Sequence, residues 1–555
     1  MNICIKVLFL ALFTFLFQSK TEAQRKYDVY WVSFKDKKNN PYSIFHPQEY
    51  LSPRAIERRS RFGIPIDESD LPVNPQYLEP ILVKGFKIHA TSKWLNGVAI
   101  ITEAASSNPE DLKSFEFIKD VFPIGFKREV QAVPPIGPRE YKERYRMKEN
   151  YYGMGKNQIN MLKGEYLHKM NYEGQDMHIA IMDGGFEGMP ETPGFDSLFV
   201  NGQILGTHDF VEGDDYVFES SNHGRNVASC MVANMPYLFV GTAPKAKYYL
   251  FKTEDVKGEY WIEEYNWVAA IERADQLGVD VVNSSLGYYD FDDNDMDYGY
   301  VDIDGKTSAM TKAANLAAQK GMLVVTSAGN EGNDKWKHIT VPGDADSVLT
   351  VGAVDRDGYY AKFSSLGFEK KSIIKPNVMA RGAIAVVAAK KRYDTSYSNG
   401  TSFSAPIMAG MVSSFWQAFP EYTNMEIIHT LENNGHYKDK PDNVYGYGIP
   451  NFWTAYKSLR KSVVELQPKQ AYYYHLTNVK NHLDIFMTNV KAYKALVRLH
   501  STTGKVLYQE ETVFKTKSDK LLWYQTVPNW ENLPDGVYFL TIELDDFVQR
   551  ILVTK

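Results

Sequence analysis

Cysteine is almost missing from this chain of 555 residues: only Cys4 and Cys230 carry thiols. That excludes a disulfide framework and any multi-cysteine zinc or iron–sulfur site. Positive charge is not in excess either. With 62 Lys and Arg against 68 Asp and Glu, the net charge is −6 and the pI about 6.1, which gives no case for a nucleic-acid partner. Long apolar runs are also lacking. Val7 to Phe17, after Lys6, is too short to span a bilayer, and Thr21-Glu22-Ala23 offers small residues for a signal peptidase. Residues 1–23 therefore read as a secretory signal that exports the chain through the periplasm to the cell surface or beyond. Once Cys4 leaves with the signal, Cys230 has no partner and is expected to pack as a small apolar residue.

Four short segments carry the chemistry. In Gly400-Thr401-Ser402-Phe403-Ser404-Ala405-Pro406 a serine sits between small residues at a helix start, with proline expected in the first turn. Such a serine is either a cap or a nucleophile placed where the helix dipole favours negative charge. His178 to Asp183 reads as a buried parallel strand ending in an aspartate before Gly184-Gly185. His223 precedes Gly224-Arg225-Asn226-Val227-Ala228, a second helix start. Singly, Asp183 is a turn former and His223 a structural histidine. Together they supply what a serine hydroxyl needs: a base to take its proton and a carboxylate to fix the base's tautomer. Asn330, ending the apolar run Gly321 to Ala328-Gly329, is either a turn residue or an amide donor for an oxyanion, paired with the Ser402 N–H.

The order Asp, His, Ser is that of subtilisin. Residues from about 155 to 458 resemble the catalytic domain of a subtilase, a subtilisin-like serine protease. The matching segments are Ile181 to Gly185, His223 to Ala228, Gly241-Thr242-Ala243-Pro244, Asn283-Ser284-Ser285-Leu286-Gly287, Ser327 to Asn330, Gly400 to Pro406 and Tyr445-Gly446-Tyr447-Gly448. The resemblance implies Ser402 as nucleophile, His223 as general base, Asp183 as its orienter and Asn330 as oxyanion donor. It also implies that Ser285-Leu286-Gly287 pairs with a substrate strand while Ala328-Gly329 lines the adjoining pocket. Gly184 stands where Ser or Thr is common, and Arg225 where threonine is common; Arg225 is expected to charge the rim of the cleft. No cofactor is required. A base with an unperturbed pKa near 6.5 would make activity rise from about pH 6 to 8.

The expected fold is α/β, with a doubly wound, mostly parallel sheet, a small N-terminal α+β unit and a C-terminal β-sandwich. The expected layout is signal 1–23, propeptide-like domain 24–125, linker with a self-processing site 126–154, peptidase domain 155–460 and C-terminal domain 461–555. Self-cleavage is expected within about 120–150. A propeptide would serve as intramolecular inhibitor, and the basic cluster Arg54, Arg58, Arg59 and Arg61 on an amphipathic helix is expected to be a solvated face. The acidic loop Asp290 to Asp304 offers oxygen ligands for a structural calcium ion but fails as an EF-hand, and a solvated loop that disfavours acidic peptides is the alternative. The C-terminal strands, with Gly536-Val537-Tyr538, look like a type IX secretion sorting domain of Bacteroidetes, although the opening offers only Leu466-Gln467-Pro468; a carbohydrate- or protein-binding sandwich is the other reading. Protein or peptide substrates and the secretion machinery are the partners expected. A catalytically silent surface-binding protein on the same scaffold is the alternative function.

Overall fold

The computed structural model describes residues 28–102, 107–127, 150–368, 373–390, 393–459, 473–479, 482–527, 530–544 and 547–554. The signal at 1–23, most of the expected linker and Leu466-Gln467-Pro468 lie outside them. In the N-terminal unit, strands β1 (Val29–Phe34), β2 (Phe86–Ser92), β3 (Gly97–Thr102) and β4 (Ile118–Gly125) form an antiparallel sheet ordered β2-β3-β1-β4. Helix α1 (Pro53–Phe62) is started by the Ser52 side chain and Pro53, and stopped by Gly63 in the left-handed conformation.

The central unit is built on seven strands: β5 (His178–Asp183), β6 (Ile204–Asp209), β7 (Lys247–Lys252), β8 (Val281–Ser284), β9 (Leu323–Ser327), β10 (Leu349–Val354) and β11 (Val378–Arg381). Their order is β11-β10-β9-β8-β5-β7-β6, and every pairing is parallel. Parallel strands are buried on both faces, which is why these runs are continuously apolar. Alternation still sorts them: Ile179 and Ile181 enter one core, Ala180 and Met182 the other. Helix α2 (His223–Val232) and helix α5 (Thr401–Gln417) cover the first face. Helices α3 (Trp261–Leu277) and α4 (Ala309–Gln319) cover the second.

Beyond the central unit, β12 (Tyr473–Val479), β13 (His482–Ser501), β14 (Val506–Val527), β15 (Val537–Leu544) and β16 (Phe547–Thr554) form one antiparallel five-stranded sheet. The long strand β13 pairs with β12 along its first half and β15 along its second, and β14 follows it through both, with an irregularity between Ala492 and Lys494. Leu483, Ile485, Val497, Leu499 and Trp530 share one core.

The N-terminal sheet lies against α3. Trp31 stacks on Tyr265 with ring centroids 4.3 Å apart, and the Lys93 and Trp94 backbone N–H groups donate to the Glu272 carboxylate at 2.8 and 3.1 Å. Here Arg58 and Arg59 overturn the expectation of a solvated face, while Arg61 is exposed and Arg54, half-buried, reaches Asp280 at 2.5 Å. Arg58 is 1% and Arg59 2% exposed. Arg58 reaches Asp275 at 2.6 Å, Arg59 reaches Asp70 at 2.8 Å and Asp275 at 3.0 Å, and Lys93 reaches Asp275 at 2.8 Å. Both guanidinium groups also donate to backbone carbonyls, Arg58 to Lys320 and Val279, Arg59 to Lys320. A charged helix face reads as solvated only while its partners are unknown; Asp275, Val279 and Lys320 lie more than 200 residues away, although Asp70 is 11 residues from Arg59. Burial works to raise the Asp275 pKa, but Lys93, Arg59 and Arg58 hold it well below the usual carboxylate range.

Removing one member of such a cluster strands the others. Asp275→Ala in a full-length Ser402→Ala protein is expected to cost about 3–5 kcal/mol in urea unfolding. The same change should matter far less once the N-terminal unit has been removed, because Arg58, Arg59 and Lys93 leave with it.

Candidate active site

In a parallel sheet, the C-terminal strand ends open onto one edge, and the sequence-predicted residues gather there. Asp183 is the last residue of β5 and fully buried; its Oδ1 accepts the Gly184 N–H at 2.9 Å. His223 is the first residue of α2. Its Nδ1 donates to Asp183 Oδ1 at 2.9 Å and Oδ2 at 3.0 Å. Gly224 permits this approach, since a Cβ there would lie 2.4 Å from the Gly185 carbonyl oxygen and 2.9 Å from Asp183 Cβ.

Ser402 is the second residue of α5, 8% exposed, following Gly400 at φ 145°. The imidazole of His223 lies against the next side chain, Phe403, at a ring-centroid distance of 5.8 Å. Proline falls later than expected: Pro406 sits in the second turn, inside the helix. A proline there removes the N–H that would bond the carbonyl four residues back, which belongs to Ser402. The fold supplies a substitute. Ser285 Oγ donates to the Ser402 carbonyl at 2.9 Å and is held by Asn283 Nδ2 at 3.1 Å, while Ser402 Oγ donates to the Ser285 carbonyl at 3.3 Å.

Asn330 follows β9. Its Oδ1 accepts from Thr401 N at 2.8 Å and Thr401 Oγ1 at 3.1 Å, which leaves Nδ2 as the donor without a partner among the described residues. A Cβ on Gly400 would lie 3.7 Å from that nitrogen and 3.6 Å from Ser402 N, so the two donors flank the same space. The Gly329 carbonyl accepts from Thr401 Oγ1 at 3.0 Å, tying the Ala328-Gly329 strap to the start of α5. Leu286 and Ala328 turn their side chains into the core. Gly287 is required by Thr340, whose Oγ1 would be 2.2 Å from a Cβ.

Two sequence expectations are corrected. Arg225 does not charge the cleft rim: it is 6% exposed and donates to the Glu187 carbonyl at 3.1 Å and to Asn226 Oδ1. The second concerns the base. Burial favours neutral His223, but the charge and hydrogen bond of Asp183, with a contribution from Glu254, outweigh it and raise its pKa from 6.5 to about 9. In the acidic loop the carboxylates cap turns: Asp297 accepts Phe291 N, Asp302 accepts Gly299 N, and Asp304 accepts Lys306 and Thr307 N. Among the described residues no group of three or more His, Cys, Asp or Glu is arranged to hold a metal ion. Cys230 is buried, and burial pushes its thiol up, away from any reactive form.

Residues 174–448 match the Subtilase family, and residues 29–138 match the Peptidase S8 propeptide domain of Bacteroidota. Over that first stretch the chain belongs to the subtilase family. It is similar to subtilisin NAT of Bacillus subtilis subsp. natto, 28% identical over 303 residues that span 54% of this chain and 70% of that protein. It is likewise similar to subtilisin DY of Bacillus licheniformis, 28% identical over 277 residues, 50% of this chain and 89% of that one. Fervidolysin from Fervidobacterium pennivorans, described as a keratinolytic enzyme related to subtilisin, aligns at TM-score 0.51 and 19% identity over 93% of this chain and 70% of that chain. That last likeness concerns the fold alone. This subtilase is a serine peptidase with a propeptide domain, and the silent-scaffold alternative gains no support. Sequence reasoning named Ser285 for its backbone but missed that its hydroxyl holds the Ser402 carbonyl, and it missed the carboxylate of Glu254; only their contacts reveal these roles.

A base works unprotonated, so activity should climb with pH through a midpoint displaced from 6.5 toward about 9. Asp183→Asn should return the midpoint downward and cut kcat by about four orders of magnitude, measured as kcat/KM and kcat against pH. The linkage runs the other way: the raised pKa stabilises the fold fully below pH 6.5, and that stability is lost as pH rises through about 9. Ser285→Ala would leave the Ser402 carbonyl buried without its donor, an expected loss of about 1–3 kcal/mol in thermal unfolding.

Proposed function

We propose that this subtilase is a secreted endopeptidase in which Ser402 attacks the scissile carbonyl and forms an acyl-enzyme that water then hydrolyses. His223 takes the serine proton and returns it to the leaving amine. Asp183 fixes the tautomer and stabilises the imidazolium. Asn330 Nδ2 and Ser402 N bind the oxyanion. Ser285-Leu286-Gly287 pairs with the substrate backbone, and Ala328-Gly329 lines the pocket beside it. The observation that carries this reading is the pair of hydrogen bonds from His223 Nδ1 to Asp183, at 2.9 and 3.0 Å, on an edge that also holds Ser402.

The chain is made as a precursor: signal at 1–23, N-terminal unit as propeptide and inhibitor to about 125, linker to 154, peptidase to 460 and a C-terminal domain from 461 that engages type IX secretion machinery. Processing falls between Lys127 and Asn150. Residues up to Gly125 belong to strand β4, and Met154 N already donates to the Leu238 carbonyl at 2.8 Å within the peptidase unit, so both flanks are held.

The test is direct. A purified wild-type precursor should shorten by the mass of the N-terminal unit and take up one equivalent of a fluorophosphonate probe on Ser402. Ser402→Ala purified alone should keep its full length. Maturation of that variant to the same size would overturn self-processing, and a matured protein that resists labelling would overturn the nucleophile.

A further inference from the structure

Glu254 adds to the raised pKa of His223 but has no other role in the chemistry above, and it stands beside the Asp183–His223 pair. It follows β7, the neighbour of β5, as part of Thr253-Glu254-Asp255, and the Thr253 N–H donates to the Asp183 carbonyl at 3.0 Å. Its Oε1 accepts the Tyr288 hydroxyl at 2.7 Å. Its Oε2 faces Gly184, where a Cβ would lie 3.3 Å from it, 3.1 Å from Val256 Cγ1 and 3.7 Å from Ser221 Cβ. Gly184 has no side chain, so nothing at that position shields the carboxylate. Behind it sits Glu263, 2% exposed, whose Oε2 has no hydrogen-bond partner among the described residues. Neither glutamate forms an ion pair with a lysine or arginine among the described residues; the cation whose charge acts on Glu254 is His223.

We propose that Glu254, backed by Glu263, is a specificity-determining pair that receives the cationic side chain, lysine or arginine, of a substrate residue lying over Gly184. The inference rests on the peptidase reading and names its substrate class. The charge arithmetic is consistent. Burial first, then Asp183, raises the pKa of Glu254 to about 8, and Glu263 is pushed above its ordinary range by burial and by Glu254 and Glu259. An empty site therefore holds proton-bearing or mutually repelling carboxyls, and an incoming ammonium or guanidinium relieves both conditions. The chain's own expected processing segment fits such a site: residues 127–150 include Lys127, Arg128, Arg139, Lys142, Arg144, Arg146 and Lys148.

The experiment is a positional-scanning peptide library, lysine against methionine at each residue around the scissile bond, cleaved by the matured full-length protein. One position should favour lysine in kcat/KM by about tenfold or more, and Glu254→Gln should lower that ratio at the same position by a similar factor. The wild-type ratio should also rise between pH 6 and 9 as Glu254 ionises in the field of Asp183, His223, Glu259, Glu263 and Tyr288, a change that cancels the common titration of His223. The proposal is overturned by a lysine preference equal in wild type and Glu254→Gln, or by a ratio near one at every position and pH. Fluorophosphonate labelling of Ser402 reports the peptidase reading separately, so a labelled enzyme without cationic preference sinks this inference alone.

Discussion

Strand register in a parallel sheet is the constraint on which the site depends. Met182 pairs with Ser284, and Ser284 with Thr326, so the next residues along, Asp183, Ser285 and Ser327, reach the sheet edge at one level. Hydrogen bonding between neighbouring strands fixes that level to within one residue, because a slip would move every side chain to the opposite face. Helices α2 and α5 then bring His223 and Ser402 to the same edge from the core side. Asp183, His223 and Ser402 are therefore carried by a strand and two helices, and Asn330 stands just beyond β9.

Proline inside α5 shows how local frustration is absorbed. The helix gives up one internal hydrogen bond at the carbonyl of the very residue that carries the reactive hydroxyl. Ser285, the residue just beyond β8, fills the vacancy, and Ser402 Oγ returns a bond to the Ser285 carbonyl. Ser402 and the end of β8 are thus fastened to each other by bonds in both directions.

Charge is distributed unevenly around this framework. On the back of α3, Asp275 is surrounded by three cations from the N-terminal unit, and every member of the cluster is compensated. At the front, Glu254 and Glu263 form no ion pair with a lysine or arginine among the described residues and lie next to Asp183, which is held by His223. The first arrangement fastens the N-terminal unit to α3. The second gathers carboxyl groups that burial and one another push toward the protonated form.

Much was legible from the sequence because it depends on local pattern. Apolar runs such as Val281–Ser284 and Leu323–Ser327 announced buried parallel strands, and the short motifs around Asp183, His223, Asn330 and Ser402 announced strand ends and helix starts, the elements on which the structure places them. What could not be read was pairing between residues far apart. Arg58 and Arg59 looked like a solvated face because helical periodicity does not distinguish water from Asp275 as the partner of a charge. Arg225 looked like a rim residue and is buried, donating to the Glu187 carbonyl; the pKa shifts of His223 and Glu254 depend on distances and desolvation that exist only in the folded chain. Sequence determined which chemical groups were present and on what kind of element, whereas tertiary structure decided which charges met, because electrostatic energy depends on separation in space and on the removal of water.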